Sequence, residues 1–120
     1  MKKLVVIDDE FDFCTLVKLY CSKCGIECRY ANNLAEGINL VNEFKPDIVI
    51  LDNNLPDGYG WVQTDYLLHA YPLITINLIT AKNDFECNSS EYENKDIRVS
   101  RYLKPLSLTQ LNKIIHQHAV

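Results

Sequence analysis

Two short apolar runs, each followed directly by acidic residues, constrain the fold of this chain more than any other feature. Residues 4–7 (Leu-Val-Val-Ile) lead into Asp8 and Asp9, and residues 48–51 (Ile-Val-Ile-Leu) lead into Asp52. Runs this short and this rich in β-branched residues are typical of parallel strands that are buried on both faces. Such strands need helices above and below the sheet, so the pattern predicts an α/β fold.

Strand patterns alternate with helical patterns five times along the chain. The predicted strands cover about residues 3–8, 26–31, 47–52, 73–79 and 97–103. Helical spacing of apolar residues predicts helices between and after them, including one over residues 61–70, and Asn33 and Ser107 begin capping-box patterns. Residues 82–94 are polar with weak periodicity, so we expect a short or mobile helix there. This order predicts one domain over residues 1–120, with a five-stranded parallel sheet and helices on both faces.

Composition excludes several classes of protein. The 120 residues are 48% hydrophobic and 23% charged, which indicates a folded globular domain. The net charge of -4 argues against binding of nucleic acid by this domain. No apolar run is long enough for a membrane span or a signal peptide, so we expect a cytoplasmic protein with no membrane partner.

The five cysteines raise the question of a metal or redox site. Cys21, Cys24 and Cys28 are closely spaced, but zinc would require a fourth ligand and no histidine lies near them in sequence. The number of cysteines is odd and no secretory signal is present. We therefore predict reduced thiols that are either buried or on the surface.

The acidic residues that follow the strands predict a reactive site. The carboxyl ends of parallel strands share one edge of the sheet, so Asp8, Asp9 and Asp52 should meet there with Thr80 and Lys104. Three carboxylates repel one another unless a cation joins them, and all-oxygen ligation suits Mg²⁺. Each residue alone is as readily explained as a helix cap or a solvated strand end. The set together indicates transfer of a phosphoryl group to a carboxylate.

Five motifs fall in order at successive predicted strand ends. They are residues 5–10 (Val-Val-Ile-Asp-Asp-Glu), 46–52 (Pro-Asp-Ile-Val-Ile-Leu-Asp), 55–60 (Leu-Pro followed by Gly60), 78–81 (Leu-Ile-Thr-Ala) and 103–105 (Leu-Lys-Pro). With these motifs the whole chain resembles the receiver domain of two-component response regulators, the CheY-like family. The resemblance implies a flavodoxin-like (βα)5 fold.

The resemblance also implies roles for the clustered residues. The implied Mg²⁺ ligands are Asp8, Asp9, Asp52 and, through its backbone carbonyl, Asn54. The implied phosphoryl site consists of the phosphoacceptor Asp52 and the contacts Thr80, Ala81 and Lys104. The Lys104–Pro105 peptide is implied to be cis, which would aim the lysine inward.

The switch region of this chain departs from the usual pattern of the family. The family usually has an aromatic residue three positions before the lysine, and it moves together with the threonine. Here that position is Arg101 and Tyr102 follows it. The switch residues are therefore Thr80 with Arg101, or Thr80 with Tyr102 if the register of the last strand is shifted.

By resemblance, the chain is expected to be a switch rather than an enzyme, with at most self-phosphorylation from small donors and slow self-dephosphorylation. Its implied partners are a histidine kinase or phosphotransfer protein, an output domain such as a regulator of transcription, and a second copy bound through the fourth helix, fifth strand and fifth helix.

Two other hypotheses remain at this point. A pseudo-receiver would bind partners without phosphorylation, and the unusual last strand is compatible with it. A phosphatase with an aspartyl nucleophile would commonly carry an acid two residues after the nucleophile, where this chain has Asn54.

Overall fold

The structure, a computed structural model, describes residues 2–81 and 96–116. The strands and helices in these residues are β1 (Lys3–Ile7), α1 (Phe11–Lys23), β2 (Glu27–Ala31), α2 (Leu34–Phe44), β3 (Ile48–Asp52), β4 (Asn54–Leu55), β5 (Gly58–Tyr59), a 3₁₀ helix (Gly60–Gln63), α3 (Thr64–Ala70), β6 (Thr75–Thr80), β7 (Val99–Leu103) and α4 (Leu108–Ile115). The helix predicted in residues 82–94, and Cys87 with it, lies outside the described residues.

The main sheet has five parallel strands in the order β2-β1-β3-β6-β7. The apolar runs that lead into the acidic residues form β1 and β3, two neighbouring strands flanked by others on both sides. Their apolar residues from position 4 to 7 and from 48 to 51 are all 0% exposed. The predicted five-stranded parallel sheet with helices on both faces is confirmed.

Each face of the sheet is covered by its own set of helices. On one face, β1 and β3 pack against α1 and α4 through side chains such as Val17 and Ile114. On the other face, the alternate residues of the same strands pack against α2 and α3 through side chains such as Val41 and Leu67. Within residues 2–81 and 96–116, every helix is too short or too polar to serve as a membrane span.

The helix caps follow the predicted patterns closely. The Asn33 side chain accepts a hydrogen bond from the Glu36 N–H at 2.8 Å. Ser107 and Gln110 form a reciprocal capping box at the start of α4. These local side-chain bonds satisfy N–H groups that the helix itself leaves unpaired.

The structure differs from the sequence prediction around Trp61. Residues 60–63 form a 3₁₀ helix, and the α-helix begins at Thr64. The Trp61 N–H bonds to the side chain of Asn53 at 3.0 Å, and the Thr64 hydroxyl donates to the Trp61 carbonyl at 2.8 Å. These bonds tie the first turn to the preceding loop, so the chain takes the tighter helical form there.

The last strand also begins later than predicted, at Val99. Arg98 is held before it by Asp96 at 2.7 Å and by the carbonyls of Leu68 and Pro72 at the end of α3. These contacts hold the turn before β7 against the C-terminal end of α3.

Candidate functional site

The acidic residues meet at a crevice between β1 and β3. The chain leaves β1 toward α1 on one face of the sheet and leaves β3 toward α3 on the other. Open α/β sheets bind ligands at such a switch point, outside the carboxyl ends of the strands. One carboxylate oxygen from each of Asp8, Asp9 and Asp52 lies within 4.8 Å of the others. Within residues 2–81 and 96–116, this is the sole group of three acidic, cysteine or histidine side chains with metal-binding spacing.

Asp52 is the most deeply buried acid of this cluster, with 1% of its surface exposed. Its Oδ1 accepts a hydrogen bond from the Asn54 N–H at 3.2 Å, and its Oδ2 lies 3.2 Å from the Lys104 Nζ. Burial, followed by the charge of Asp8, raises the pKa of Asp52 to about 7 against the opposing effects of Asn54 and Lys104. The carboxylate is therefore costly to ionise without further positive charge.

Asp8 lies beside it in a similar environment. It is 2% exposed, and its Oδ1 accepts a hydrogen bond from the Glu10 N–H at 2.8 Å. Burial raises its pKa, although the Glu10 N–H and Lys104 favour the ionised form. Asp9, by contrast, is exposed. Two acids of the cluster, Asp8 and Asp52, are thus buried, and the third, Asp9, is accessible to solvent.

Lys104 provides the positive charge of the described site. Burial favours its neutral form, but the carboxylates of Asp52 and Asp8 outweigh this effect and raise its pKa. Its Nζ also lies 3.9 Å from Glu10 Oε1, and 30% of its side chain is exposed. One lysine facing three clustered carboxylates leaves an excess of negative charge.

The donor set fits a magnesium ion. Apart from its contact with Lys104, Asp52 Oδ2 has no hydrogen-bond partner among residues 2–81 and 96–116. Buried carboxylates are unfavourable unless their charge is offset, and the single Lys104 ammonium faces the three carboxylates of Asp8, Asp9 and Asp52. Mg²⁺ prefers oxygen ligands, and the three carboxylates supply them.

Thr80 lies at the end of β6, the strand beside β3. The residue is 4% exposed, and in the described part of the chain its hydroxyl has no hydrogen-bond partner. Its carbonyl accepts the Lys104 N–H at 2.8 Å, which holds the lysine next to the end of β6. Ala81 follows and is exposed, and the Lys104–Pro105 peptide bond is cis. Two of the predicted phosphoryl contacts, Thr80 and Lys104, therefore lie beside the end of β3 or against Asp52 itself.

Arg101 and Tyr102 occupy opposite faces of the sheet. Tyr102 pairs with Ile79 and packs on the face that carries α1 and α4. Arg101 pairs with Leu78 and, because side chains alternate along a strand, shares the opposite face with Thr80. In this register Arg101, three residues before Lys104, lies on the same face of the sheet as Thr80.

The loop after Asp52 contains Pro56-Asp57-Gly58, a sequence that predicts a turn, and it forms a small hairpin. Strands β4 and β5 pair in it, and we call residues 53–60 the acceptor hairpin, because they follow the predicted acceptor Asp52. At its base the Asn53 N–H donates to the Ile79 carbonyl and the Gly60 N–H donates to the Asn53 carbonyl, both at 2.9 Å. A Cβ on Gly60 would lie 2.5 Å from the Asp52 carbonyl oxygen, so this position requires glycine. Asn54, the implied carbonyl ligand, is exposed in β4.

Three residues near the site are not predicted by sequence reasoning. Glu10 lies near Lys104, Asn32 donates to the Asp8 carbonyl at 2.8 Å, and Asp57 bonds to the start of α2. Asn32 and Asp57 act across more than 20 residues of sequence, and no local pattern marks such contacts.

A cavity of about 300 Å³ opens beside the acidic residues. Asp8, Glu10 and Lys104 line its polar end, and Phe13, Leu16 and Leu106 line its apolar part. A partly apolar cavity therefore adjoins Asp8 and Lys104 at the acidic site.

Of the four cysteines in the described residues, three lie in the core and one lies on the surface, and the Cys14 thiol donates to the Asp8 carbonyl at 3.4 Å. Cys14, Cys21 and Cys28 are buried and Cys24 is exposed, and all four are free thiols. Burial raises the pKa of Cys14 to about 12, which keeps it protonated. These four thiols agree with the predicted buried or surface role.

Comparison with known proteins matches this chain to a family. Residues 4–116 match the family model of the response regulator receiver domain. The transcriptional regulatory protein YxdJ of Bacillus subtilis is 30% identical over 86 residues, which cover 70% of this chain and 38% of YxdJ. The polar-differentiation response regulator DivK of Brucella anthropi is 25% identical over 116 residues, which cover 88% of this chain and 93% of DivK. The chain thus spans well under half of YxdJ and nearly all of DivK.

Solved structures share the fold at lower sequence identity. A response regulator receiver domain protein from Clostridium thermocellum superposes with a TM-score of 0.80 at 21% identity, covering 99% of this chain and 98% of that one. The beryllofluoride-activated NtrC4 receiver domain dimer has a TM-score of 0.78 at 23% identity, covering 99% and 96%. From the family match over residues 4–116, this chain belongs to the response regulator receiver domain family.

Proposed function

We propose that this chain is a phosphorylation-controlled signalling switch that accepts a phosphoryl group on Asp52. The observation that carries the proposal is the environment of this one carboxylate. Asp52 is buried at the crevice, faces Lys104 at 3.2 Å, and lies on the strand next to the one that ends in Thr80. Groups with strongly altered pKa values cluster at functional sites, and this acid is among them.

The proposed reaction is a direct displacement at phosphorus. A carboxylate oxygen of Asp52 attacks the phosphorus of phosphohistidine or of a small phosphodonor. The new O–P bond of an acyl phosphate forms as the donor's bond to phosphorus breaks, and the donor leaves with that electron pair. The Lys104 ammonium would offset the charge on one phosphoryl oxygen. The Thr80 hydroxyl would donate to another, which would satisfy a buried group that has no partner in residues 2–81 and 96–116.

Asp8, Asp9, Asp52 and the backbone carbonyl of Asn54 are the residues that would hold Mg²⁺. Bound there, the ion would offset the charge of the carboxylates and of the transferred group. The Asn54 N–H and Lys104 already favour the ionised, nucleophilic form of Asp52 against its burial.

The proposed donor is a histidine kinase or phosphotransfer protein in the cytoplasm. The signal would pass through the predicted helix in residues 82–94, strand β7 and helix α4, where a second copy would also bind. The NtrC4 neighbour, a receiver domain dimer, supports the homodimer. YxdJ is a transcriptional regulatory protein much longer than the matched segment, which supports control of transcription by an output domain. We do not propose enzymatic turnover beyond self-phosphorylation and slow self-dephosphorylation.

Intact-mass measurement after incubation with Mg²⁺ and acetyl phosphate tests the proposal. The wild-type protein should gain one phosphoryl group, and Asp52→Asn should gain none. Asp12→Asn removes an exposed acid in the first turn of α1 and should be labelled like the wild type.

The outcomes separate the competing hypotheses. A wild-type chain that is not labelled by acetyl phosphate or by any kinase would support a pseudo-receiver. Rapid, repeated release of inorganic phosphate would support a phosphatase. Stoichiometric labelling of Asp52→Asn at another residue would show that the acceptor is misassigned.

A further inference from the structure

The acceptor hairpin is attached to the rest of the protein at its base and at its tip. At the base, Asn53 bonds to Ile79 and Trp61. At the tip, Asp57 lies in the turn between β4 and β5 and bonds to the N-terminus of α2. Asn54, the proposed carbonyl ligand, lies between these two attachments.

The tip contact is made by both oxygens of one carboxylate. Asp57 Oδ1 accepts the Leu34 N–H at 2.7 Å, and Oδ2 accepts the Ala35 N–H at 2.9 Å. These bonds hold the pKa of Asp57 below its usual range. Gly58 lies against the Leu34 side chain, where an added Cβ would be 3.1 Å from a methyl group. The hairpin tip is thus both bonded to and packed against the first turn of α2.

The segment that leads from the end of β2 into the first turn of α2 is attached to Asp8, which follows β1. We call residues 31–35 the β2–α2 junction. The Asp8 N–H donates to the Ala31 carbonyl at 3.0 Å, and the Asn32 side chain donates to the Asp8 carbonyl at 2.8 Å. The junction therefore contacts Asp8 on one side and, through Asp57, the acceptor hairpin on the other.

We propose that Asp57 is a positioning residue for the acidic site. Its carboxylate links the acceptor hairpin to the β2–α2 junction. The junction is linked to Asp8 by the hydrogen bonds that Ala31 and Asn32 make with the Asp8 backbone. This closed chain of contacts sets the distance between the Asn54 carbonyl and the carboxylates of Asp8 and Asp9. The inference rests on the proposed function, because it assigns the positioning role toward the proposed Mg²⁺ site. Residues that orient metal ligands commonly change metal affinity when they are replaced.

The experiment compares Asp57→Ala with a matched control on the same helix. Asn33→Ala removes the side-chain cap to Glu36, at 2.8 Å, but leaves the bonds from Asp57 to α2 in place. Both variants remove hydrogen bonds from the first turn of α2, but only Asp57→Ala breaks the contact between α2 and the hairpin. Asp57→Asn keeps one carbonyl oxygen that can accept one of the two bonds.

Calorimetric titration with Mg²⁺ should show about a tenfold higher Kd for Asp57→Ala and an intermediate value for Asp57→Asn. Asn33→Ala should stay within about twofold of the wild type. Amide exchange in residues 54–59 should be faster in Asp57→Ala and unchanged in Asn33→Ala. This second measurement needs no metal.

An unchanged Kd and unchanged exchange in Asp57→Ala would overturn the inference. Equal effects of Asp57→Ala and Asn33→Ala would also overturn it, because helix stability would then be the cause. If the wild type binds Mg²⁺ and is labelled while Asp57→Ala matches it, the inference fails alone. If the wild type neither binds Mg²⁺ nor accepts a phosphoryl group, the proposed function fails as well.

Discussion

Asp52→Asn should stabilise the metal-free protein, although it removes the proposed phosphoacceptor. The pKa of Asp52 rises from the ordinary value of 3.8 to about 7 in the folded state, mainly because the carboxyl is buried and then because Asp8 is close. An acid with a higher pKa when folded binds its proton more tightly in that state. The stability that the protonated Asp52 carboxyl contributes is therefore fully present below about pH 4 and is lost as the pH rises through about 7.

The size of the effect follows from this difference. It amounts to about three pKa units, and each unit corresponds to about 1.4 kcal/mol. The ionised Asp52 therefore costs on the order of 4 kcal/mol of unfolding free energy at pH 8, relative to a neutral side chain of the same shape. Asparagine is such a side chain, so the variant should be more stable by about that amount at pH 8 and by little at pH 4.

Urea denaturation in EDTA at several pH values measures this difference. Asp12→Asn, which also removes one negative charge but from an exposed position, should change stability by only a few tenths of a kcal/mol. Addition of Mg²⁺ at about 100 times its Kd should stabilise the wild type by about 2.7 kcal/mol. Asp52→Asn should gain much less. An Asp52→Asn protein that is no more stable than the wild type at pH 8 in EDTA would refute the reasoning.

Three further substitutions test separate parts of the site. Gly60→Ala should lower the unfolding free energy by about 1–3 kcal/mol in urea denaturation, because the new Cβ would lie 2.5 Å from the Asp52 carbonyl oxygen. Thr80→Val should leave urea denaturation unchanged or shift it toward higher stability, since the buried hydroxyl has no partner in the described residues, but it should slow labelling by acetyl phosphate. Arg101→Ala should preserve labelling of Asp52 and change dimerisation or partner binding in analytical ultracentrifugation. A guanidinium is costly to bury in an apolar slot, so we expect the Arg101 side chain to remain outward, where it would act on association.

Each of these predictions has a recognisable contrary result. Wild-type stability of Gly60→Ala would mean that the hairpin base relaxes easily. Wild-type labelling rates in Thr80→Val would show that the Thr80 hydroxyl takes no part in the reaction. If Arg101→Ala is silent in association while Tyr102→Ala uncouples association from phosphorylation, Tyr102 is the switch.

The sheet and the acidic cluster could be predicted from the sequence because their signals are local. A buried parallel strand such as β1 or β3 must be apolar along its whole length, and this pattern is visible in four or five residues. Once the strands are known to be parallel, their carboxyl ends share one edge, so Asp8 and Asp52 are placed together by topology alone. The caps at Asn33 and Ser107 are local as well.

Other features depend on contacts between residues that are distant in sequence. The sequence allowed either Arg101 or Tyr102 to share a face with Thr80, and the pairing of β7 with β6 decided between them. Asp57 reads as a turn residue in the sequence, yet its carboxylate bonds to α2 more than 20 residues away. The 3₁₀ turn at Trp61 likewise follows from the side chain of Asn53.

The difference has one physical cause. Local apolar patterns and capping residues determine which segments become strands and helices, and the parallel order then brings the strand ends together. Hydrogen bonds made by individual polar side chains depend on distances of a few tenths of an ångström across the folded molecule. The sequence by itself therefore determined which acids form the site, and the tertiary structure decided which neighbouring residues hold those acids in place.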